Sequence, residues 1–173
     1  MVSFSEWLLE LRDLHEKVRT GRLDAGALPA YRTARDELVH ALLIAQQITH
    51  EYGHSARQTI RVAWAFQVYL GPAHACTRAV TLDVSAGGFS TLLGNPPSAD
   101  QEIEFSIRLP GSTSLTGTAR VVAAVPKPGT YRVSLAFVTL REGDAERLNA
   151  FLFDKILAQL PGPGGGVASA AGG

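Results

Sequence analysis

The sequence predicts a mainly β protein with helices at both ends. Its 173 residues are 46% hydrophobic and 18% charged, which is enough apolar material to build a core. Through the middle of the chain, apolar residues recur at every second position, which is typical of half-buried strands. Turn signals separate these segments at near-even spacing, and no helical pattern lies between them. Together these observations favour an antiparallel barrel or sandwich.

Two helices are predicted before the strands. Ser3 and Glu6 have the spacing of a capping box at the start of the first helix, and Gly21 is expected to end it. Pro29 suits the first turn of the second helix, which Gly53 is expected to end. Each helix carries one apolar stripe. The stripes therefore need each other and a third surface, which is either the rest of the chain or a second copy.

Six strands and a closing helix are predicted in the rest of the chain. Asp144 is a candidate N-cap of that helix. The chain is therefore divided into a helical hairpin for interaction or dimerisation over residues 1–53, a β domain over 54–160 and a disordered tail over 161–173. The strands are expected at about 61–70, 75–84, 87–93, 101–109, 114–125 and 130–139.

Composition excludes several classes of protein. The formal net charge is zero, which argues against a general nucleic-acid binder. The single cysteine, Cys76, excludes an internal disulfide and a multi-cysteine zinc site. The sequence has no apolar run of about 18 residues and shows no signal peptide at its start, so neither a membrane span nor export is expected. These features predict a cytoplasmic protein.

Two short motifs carry the binding chemistry. The segment from Arg57 to Arg61 leads into the first predicted strand, and the planar guanidinium forks of these two arginines suit phosphate oxygens and the O6/N7 edge of guanine. Asp83 can accept the N1–H or N2–H₂ of guanine, and Ser85 can donate or accept. Gly87 and Gly88 allow the backbone to approach a ligand closely.

These motifs resemble those of the PilZ domain family, RxxxR followed by (D/N)xSxxG. The segments VTLDVSAGGFSTLL, EIEFSIRLP, GTARVVAA and YRVSLAFVTL also resemble its strands, so the resemblance covers about residues 54–160. It implies a six-stranded antiparallel PilZ-type β-barrel, preceded here by an extra two-helix segment and closed by a C-terminal helix. It also implies that the domain binds cyclic di-GMP, a bacterial second messenger, as a monomer or as an intercalated dimer.

The resemblance also assigns roles to the motif residues. Arg57 and Arg61 would hold phosphates and guanine edges, while Asp83 and Ser85 would hold guanine and a nearby phosphate. Gly87 and Gly88 would present backbone groups, and the arginine segment would become ordered on binding. Such domains have no catalytic group, so no enzyme activity, metal or cofactor is expected. The implied partners are the nucleotide and an unidentified protein.

Two alternatives are weighed against this function. The first is a barrel that keeps the fold without binding nucleotide and serves as a scaffold, with the N-terminal helices forming a homodimer or binding another protein. The second is a zinc site, because residues 50–54 satisfy HExxH. We discount the zinc site because Gly53 is expected to end the helix and turn His54 away from His50, and because no clear third ligand follows.

Overall fold

The computed structural model describes residues 3–49, 59–111 and 113–160, without the side chains of 46–49. The expected end of the second helix at Gly53, the HExxH segment, Arg57 and the tail over 161–173 lie outside the described residues. A short 3₁₀ turn, Ala25–Ala27, lies between the first two helices. The elements are α1 (Phe4–Arg19), α2 (Leu28–Thr49), β1 (Gln67–Leu70), β2 (Thr77–Ser85), β3 (Gly88–Leu93), β4 (Glu102–Ile107), β5 (Leu115–Lys127), β6 (Thr130–Leu140) and α3 (Asp144–Gln159).

The six strands form a closed barrel. Their order around it is β1–β2–β3–β6–β5–β4, and every neighbouring pair is antiparallel. The predicted six-stranded antiparallel barrel with helices before and after it is therefore confirmed. Closure pairs each of the six strands on both sides, so none of these strands has a free edge. Inward-facing aliphatic side chains fill the interior, among them Val68, Ile107, Leu115, Val121 and Val133.

The first strand is shorter than predicted. Alternation predicts a strand over 61–70, but β1 covers only Gln67–Leu70. The backbone N–H of Phe66 donates to the Thr81 hydroxyl at 2.9 Å, and that hydroxyl donates to the Trp64 carbonyl at 2.7 Å. The Thr81 side chain thus bonds to backbone groups of Phe66 and Trp64 that would otherwise pair with a neighbouring strand, so regular strand pairing begins only at Gln67.

The chain divides into two compact units. One is Arg57–Leu152, which contains the barrel, and the other combines Met1–Ala56 with Phe153–Gly173. The division falls within α3. The start of that helix belongs to the barrel unit, where the buried Asp144 carboxylate accepts the Thr116 backbone N–H at 2.9 Å and Arg147 Nη2 at 2.7 Å. The predicted N-cap residue is thus the first helical residue and ties the helix to β5.

The helical unit has its own apolar core. The capping box at the start of α1 is confirmed, since Ser3 and Glu6 each bond to the other's backbone N–H. Buried side chains of α1, α2 and the end of α3 form the core: Leu8, Leu11, Tyr31, Leu38, Phe153 and Leu157.

No helix among the described residues has the length and apolar character that a membrane crossing requires.

A histidine is buried within this helical core. His15 is 3% exposed, and its Nδ1 lies 2.7 Å from the Tyr31 hydroxyl. Its Nε2 lies 3.8 Å from an oxygen of Asp154. Burial lowers the pKa of His15, and the nearby Arg19 and Arg35 act in the same direction, whereas Asp154 and Glu16 partly oppose the shift. The folded helical unit therefore favours the neutral imidazole.

Acidification is expected to destabilise the helical unit through His15. Unfolded histidine takes up a proton near pH 6.5, whereas the folded state resists it until lower pH. The free energy of unfolding is therefore retained above about pH 6.5. It falls as the pH drops from there toward the lowered pKa of folded His15, with a slope of at most about 1.4 kcal/mol per pH unit. Urea unfolding of the wild type and His15→Gln between pH 8 and pH 5 measures this. An equal loss in both proteins would contradict the role of His15.

Candidate functional site

A β-bulge turns Asp83 to the outer surface of the barrel. The pairing of β2 with β3 shifts between Thr81 and Asp83, so that Leu82 is an extra residue. Thr81 is buried at 1% exposure and Val84 at 0%, and both face the interior. Without the extra residue, Asp83 would lie on the same face as Thr81. The bulge therefore places a carboxylate outside the barrel wall beside Ser90, its partner on β3.

An isolated β-bridge brings Arg61 to the same place. The backbone groups of Val62 and Val84 exchange two hydrogen bonds of 2.8 and 2.9 Å. Both valine side chains are buried, so the neighbouring Arg61 and Asp83 lie on the opposite, outer face. Arg61 Nη1 lies 3.7 Å from Asp83 Oδ1. Of the predicted site residues, the structure therefore brings Arg61 and Asp83 together.

The adjoining ends of β2 and β3 and the turn between them carry the remaining described motif residues. The Ser85 hydroxyl donates to the Gly88 carbonyl at 3.2 Å and accepts the Gly87 N–H at 3.3 Å. It therefore shapes the turn, and Ser85 is only 6% exposed. A Cβ at Gly88 would overlap the carbonyl oxygen of Leu135 on β6, whereas a Cβ at Gly87 would meet only Thr59 at 3.8 Å. Gly88 is thus required for strand packing, and Gly87 has room.

A second arginine binds Asp83 directly. Arg132, on β6, donates from Nη2 to Asp83 Oδ2 at 2.6 Å. The Ser90 hydroxyl donates to the same oxygen at 2.7 Å. Neither Ser90 nor Arg132 belongs to the two sequence motifs, and Arg132 is 49 residues from Asp83 along the chain. Alternation places Arg132 on the outer face of its strand, but only the strand order β2–β3–β6 places it near Asp83.

The described part of the site is a cationic surface with one anchored carboxylate. Two guanidinium groups, 40% and 41% exposed at Arg61 and Arg132, flank the Asp83 side chain, which is 14% exposed. Arginine N–H groups directed to solvent can bind phosphate oxygens in pairs. Asp83 Oδ2 already accepts bonds from Ser90 and Arg132, and the second carboxylate oxygen can accept a further N–H group. Among the described residues, no group of three His, Cys, Asp or Glu is placed to hold a metal ion.

Comparison with known proteins identifies the family. Residues 55–154 match the model of the PilZ domain, and this match covers more than half of the chain. The chain therefore belongs to the PilZ domain family. No curated protein matches it.

Several solved structures share the fold. The Bacillus subtilis inhibitor of motility MotI/DgrA has a TM-score of 0.56 and 21% identity over 62% of this chain and 55% of that one. The K. pneumonia MrkH complex with c-di-GMP has a TM-score of 0.51 and 19% identity over 61% of this chain and 54% of that one. Escherichia coli YcgR in complex with c-di-GMP has a TM-score of 0.50 and 16% identity over 58% of this chain and 46% of that one. This chain thus spans about half the length of each, and at these identities the similarity shows the fold.

Proposed function

We propose that this chain is an effector that binds cyclic di-GMP and signals its presence to a protein partner. The observation that carries the proposal is the convergence of Arg61 and Asp83 on the outer barrel face, beside the turn that contains Ser85, Gly87 and Gly88. These residues are the described part of the two motifs of the PilZ domain, the family to which the chain belongs. Two similar structures, YcgR and MrkH, contain c-di-GMP.

The proposed contacts follow from charge and donor pattern. Cyclic di-GMP carries two phosphates and two guanines. Arg57 and Arg61 would bind phosphate oxygens and the O6/N7 edge of guanine, because a guanidinium fork donates two parallel bonds to either. Asp83 would accept the guanine N1–H or N2–H₂, and Ser85 would lie near the base and a phosphate. Gly87 and Gly88 would present backbone. The role is recognition, with no catalytic group.

We propose that the ligand also orders the segment that contains both arginines. An anion neutralises the two like charges of Arg57 and Arg61 and supplies each with an acceptor, so it favours a conformation that encloses it. Residues 54–61 join α2 to the barrel strands along the chain, which makes them a route for the signal. Amide hydrogen exchange in these residues is expected to slow when the nucleotide binds. Unchanged exchange under saturation would contradict this step.

Calorimetric titration of the full chain with cyclic di-GMP tests the proposed function. We expect saturable binding that weakens with salt, because charge-assisted contacts to phosphates are screened. Cyclic di-AMP has the same charge and ring but lacks the guanine donors, and it serves as the control. Absence of binding to cyclic di-GMP would reject the proposal. A cytoplasmic location belongs to the same proposal, because a second messenger of this kind acts inside the cell.

A scaffold that self-associates through its helices is the second candidate. The observation that favours it is the exposure of apolar side chains in the helical unit, at 64% for Phe4, 44% for Leu9 and 47% for Ile44. The two functions are compatible, since a sensor can also be a dimer. Light scattering of the full chain, with and without cyclic di-GMP, measures the oligomeric state. A monomer at every concentration tested would reject helix-driven dimerisation.

A further inference from the structure

We propose that Ser90 and Arg132 are positioning residues that fix the Asp83 carboxylate and thereby make the site selective for guanine. The proposal rests on the proposed function, and it adds two residues that lie outside both sequence motifs. It concerns which base the site accepts, and not how strongly the site attracts an anion.

The two oxygens of Asp83 have different surroundings. Oδ2 accepts two hydrogen bonds, from Ser90 Oγ at 2.7 Å and from Arg132 Nη2 at 2.6 Å. Oδ1 faces Arg61 Nη1 at 3.7 Å, which is beyond hydrogen-bond distance. Two strong bonds to one oxygen prevent rotation of the carboxylate. Oδ1 is thus held in a fixed direction with capacity to accept a further donor.

Ser90 can act on a ligand only through the side chains that it contacts. Its side chain is at the centre of β3, and the residue has 0% solvent exposure. A buried hydroxyl cannot touch a nucleotide on the outer surface. Arg132 Nη2 also lies 3.4 Å from Ser90 Oγ, so the serine, the arginine and the carboxylate form one network. Any effect of Ser90 on base recognition must therefore pass through Asp83 or through Arg132, which binds the same carboxylate oxygen.

Orientation matters because guanine and adenine present different edges. The guanine N1–H and N2–H₂ are donors, and the fixed Oδ1, which keeps the capacity to accept, can take a hydrogen bond from this edge. Adenine presents a bare N1 acceptor at the same place, which repels the carboxylate oxygen. A site built to bond a donor rejects an analogue without it, because its buried polar group is then left unpaired. A carboxylate that rotates freely turns away from the mismatch and loses this discrimination.

The test is the ratio of the dissociation constants for cyclic di-AMP and cyclic di-GMP, measured by calorimetry on the full chain. Both ligands carry the same charge, so loss of a cation changes both constants together and leaves the ratio unchanged. We expect the ratio to fall at least about tenfold in Ser90→Ala and in Arg132→Met. The matched control is Arg120→Met. Arg120 is a half-exposed arginine on β5 that pairs with Glu102 at 2.7 Å, away from Asp83.

Each outcome decides the proposal. If Ser90→Ala and Arg132→Met both keep the wild-type ratio of dissociation constants, this proposal is overturned, whereas the proposed function still stands. If Arg132→Met weakens the binding of both nucleotides equally, Arg132 is a plain contact to the anion, and the proposal is overturned for that residue. If Ser90→Ala fails to fold, as thermal melting would show, Arg132→Met decides alone because that side chain is on the surface. A wild-type chain that binds neither nucleotide rejects both the proposed function and this inference.

Discussion

Replacement of Arg61 by alanine is expected to weaken cyclic di-GMP binding by at least about tenfold. The side chain is half-exposed beside Asp83 and is the described member of the arginine pair. Loss of its charge-assisted bonds to phosphate or guanine costs about 1.5–3 kcal/mol, and about 1.4 kcal/mol corresponds to a factor of ten. The fold is expected to remain, because an ion pair at 3.7 Å with this exposure stabilises little. Calorimetric titration gives the affinity, and thermal melting checks the fold.

Arg120→Ala is the control for the loss of one positive charge. Arg120 also lies on the barrel surface and pairs with an acidic residue, Glu102, at 2.7 Å. This contact raises the pKa of Arg120, mainly through the hydrogen bond to Glu102, so the residue is charged throughout the accessible pH range. Its removal is expected to leave the affinity almost unchanged. Equal losses in Arg61→Ala and Arg120→Ala would mean that general charge, and not the arginine segment, determines binding.

Gly88→Ala is expected to destabilise the barrel by about 2–4 kcal/mol, with any loss of binding a consequence of the shifted backbone. A Cβ at this position would overlap the carbonyl oxygen of Leu135. Gly88 pairs with Ala136 on β6, so the clash is with backbone that belongs to the barrel wall. The backbone of β3 or β6 must therefore shift. Urea denaturation followed by circular dichroism measures the change in the free energy of unfolding.

Gly87→Ala is the matched substitution one residue earlier. A Cβ there would be 3.8 Å from the Thr59 side chain, which is an ordinary contact. We expect a change in stability within about 0.5 kcal/mol, so that any loss of nucleotide affinity in this variant reports on the ligand itself. Similar destabilisation by both substitutions would show that the turn, and not the Gly88–Leu135 contact, is sensitive. The pair separates the structural role of the motif from its binding role.

The sequence alone determined the class of the fold and the identity of the motif. Period-two alternation indicates which side of a strand is buried, and turn residues indicate where each strand ends, so the six strands are predictable from the sequence. The capping box at Ser3 and Glu6 is equally local, because its bonds join residues three apart. Residue types and spacing are enough to identify the motif residues Arg61 and Asp83.

Only the tertiary structure decided how the site is assembled. The short first strand depends on the hydroxyl of Thr81, and the outward direction of Asp83 depends on a bulge at Leu82 that the alternation of the sequence does not reveal. Arg132 contacts Asp83 only because β6 pairs with β3 in the closed barrel. Local patterns specify each strand, whereas strand order and register depend on closure of the whole sheet. The partners of a surface carboxylate are set by that closure.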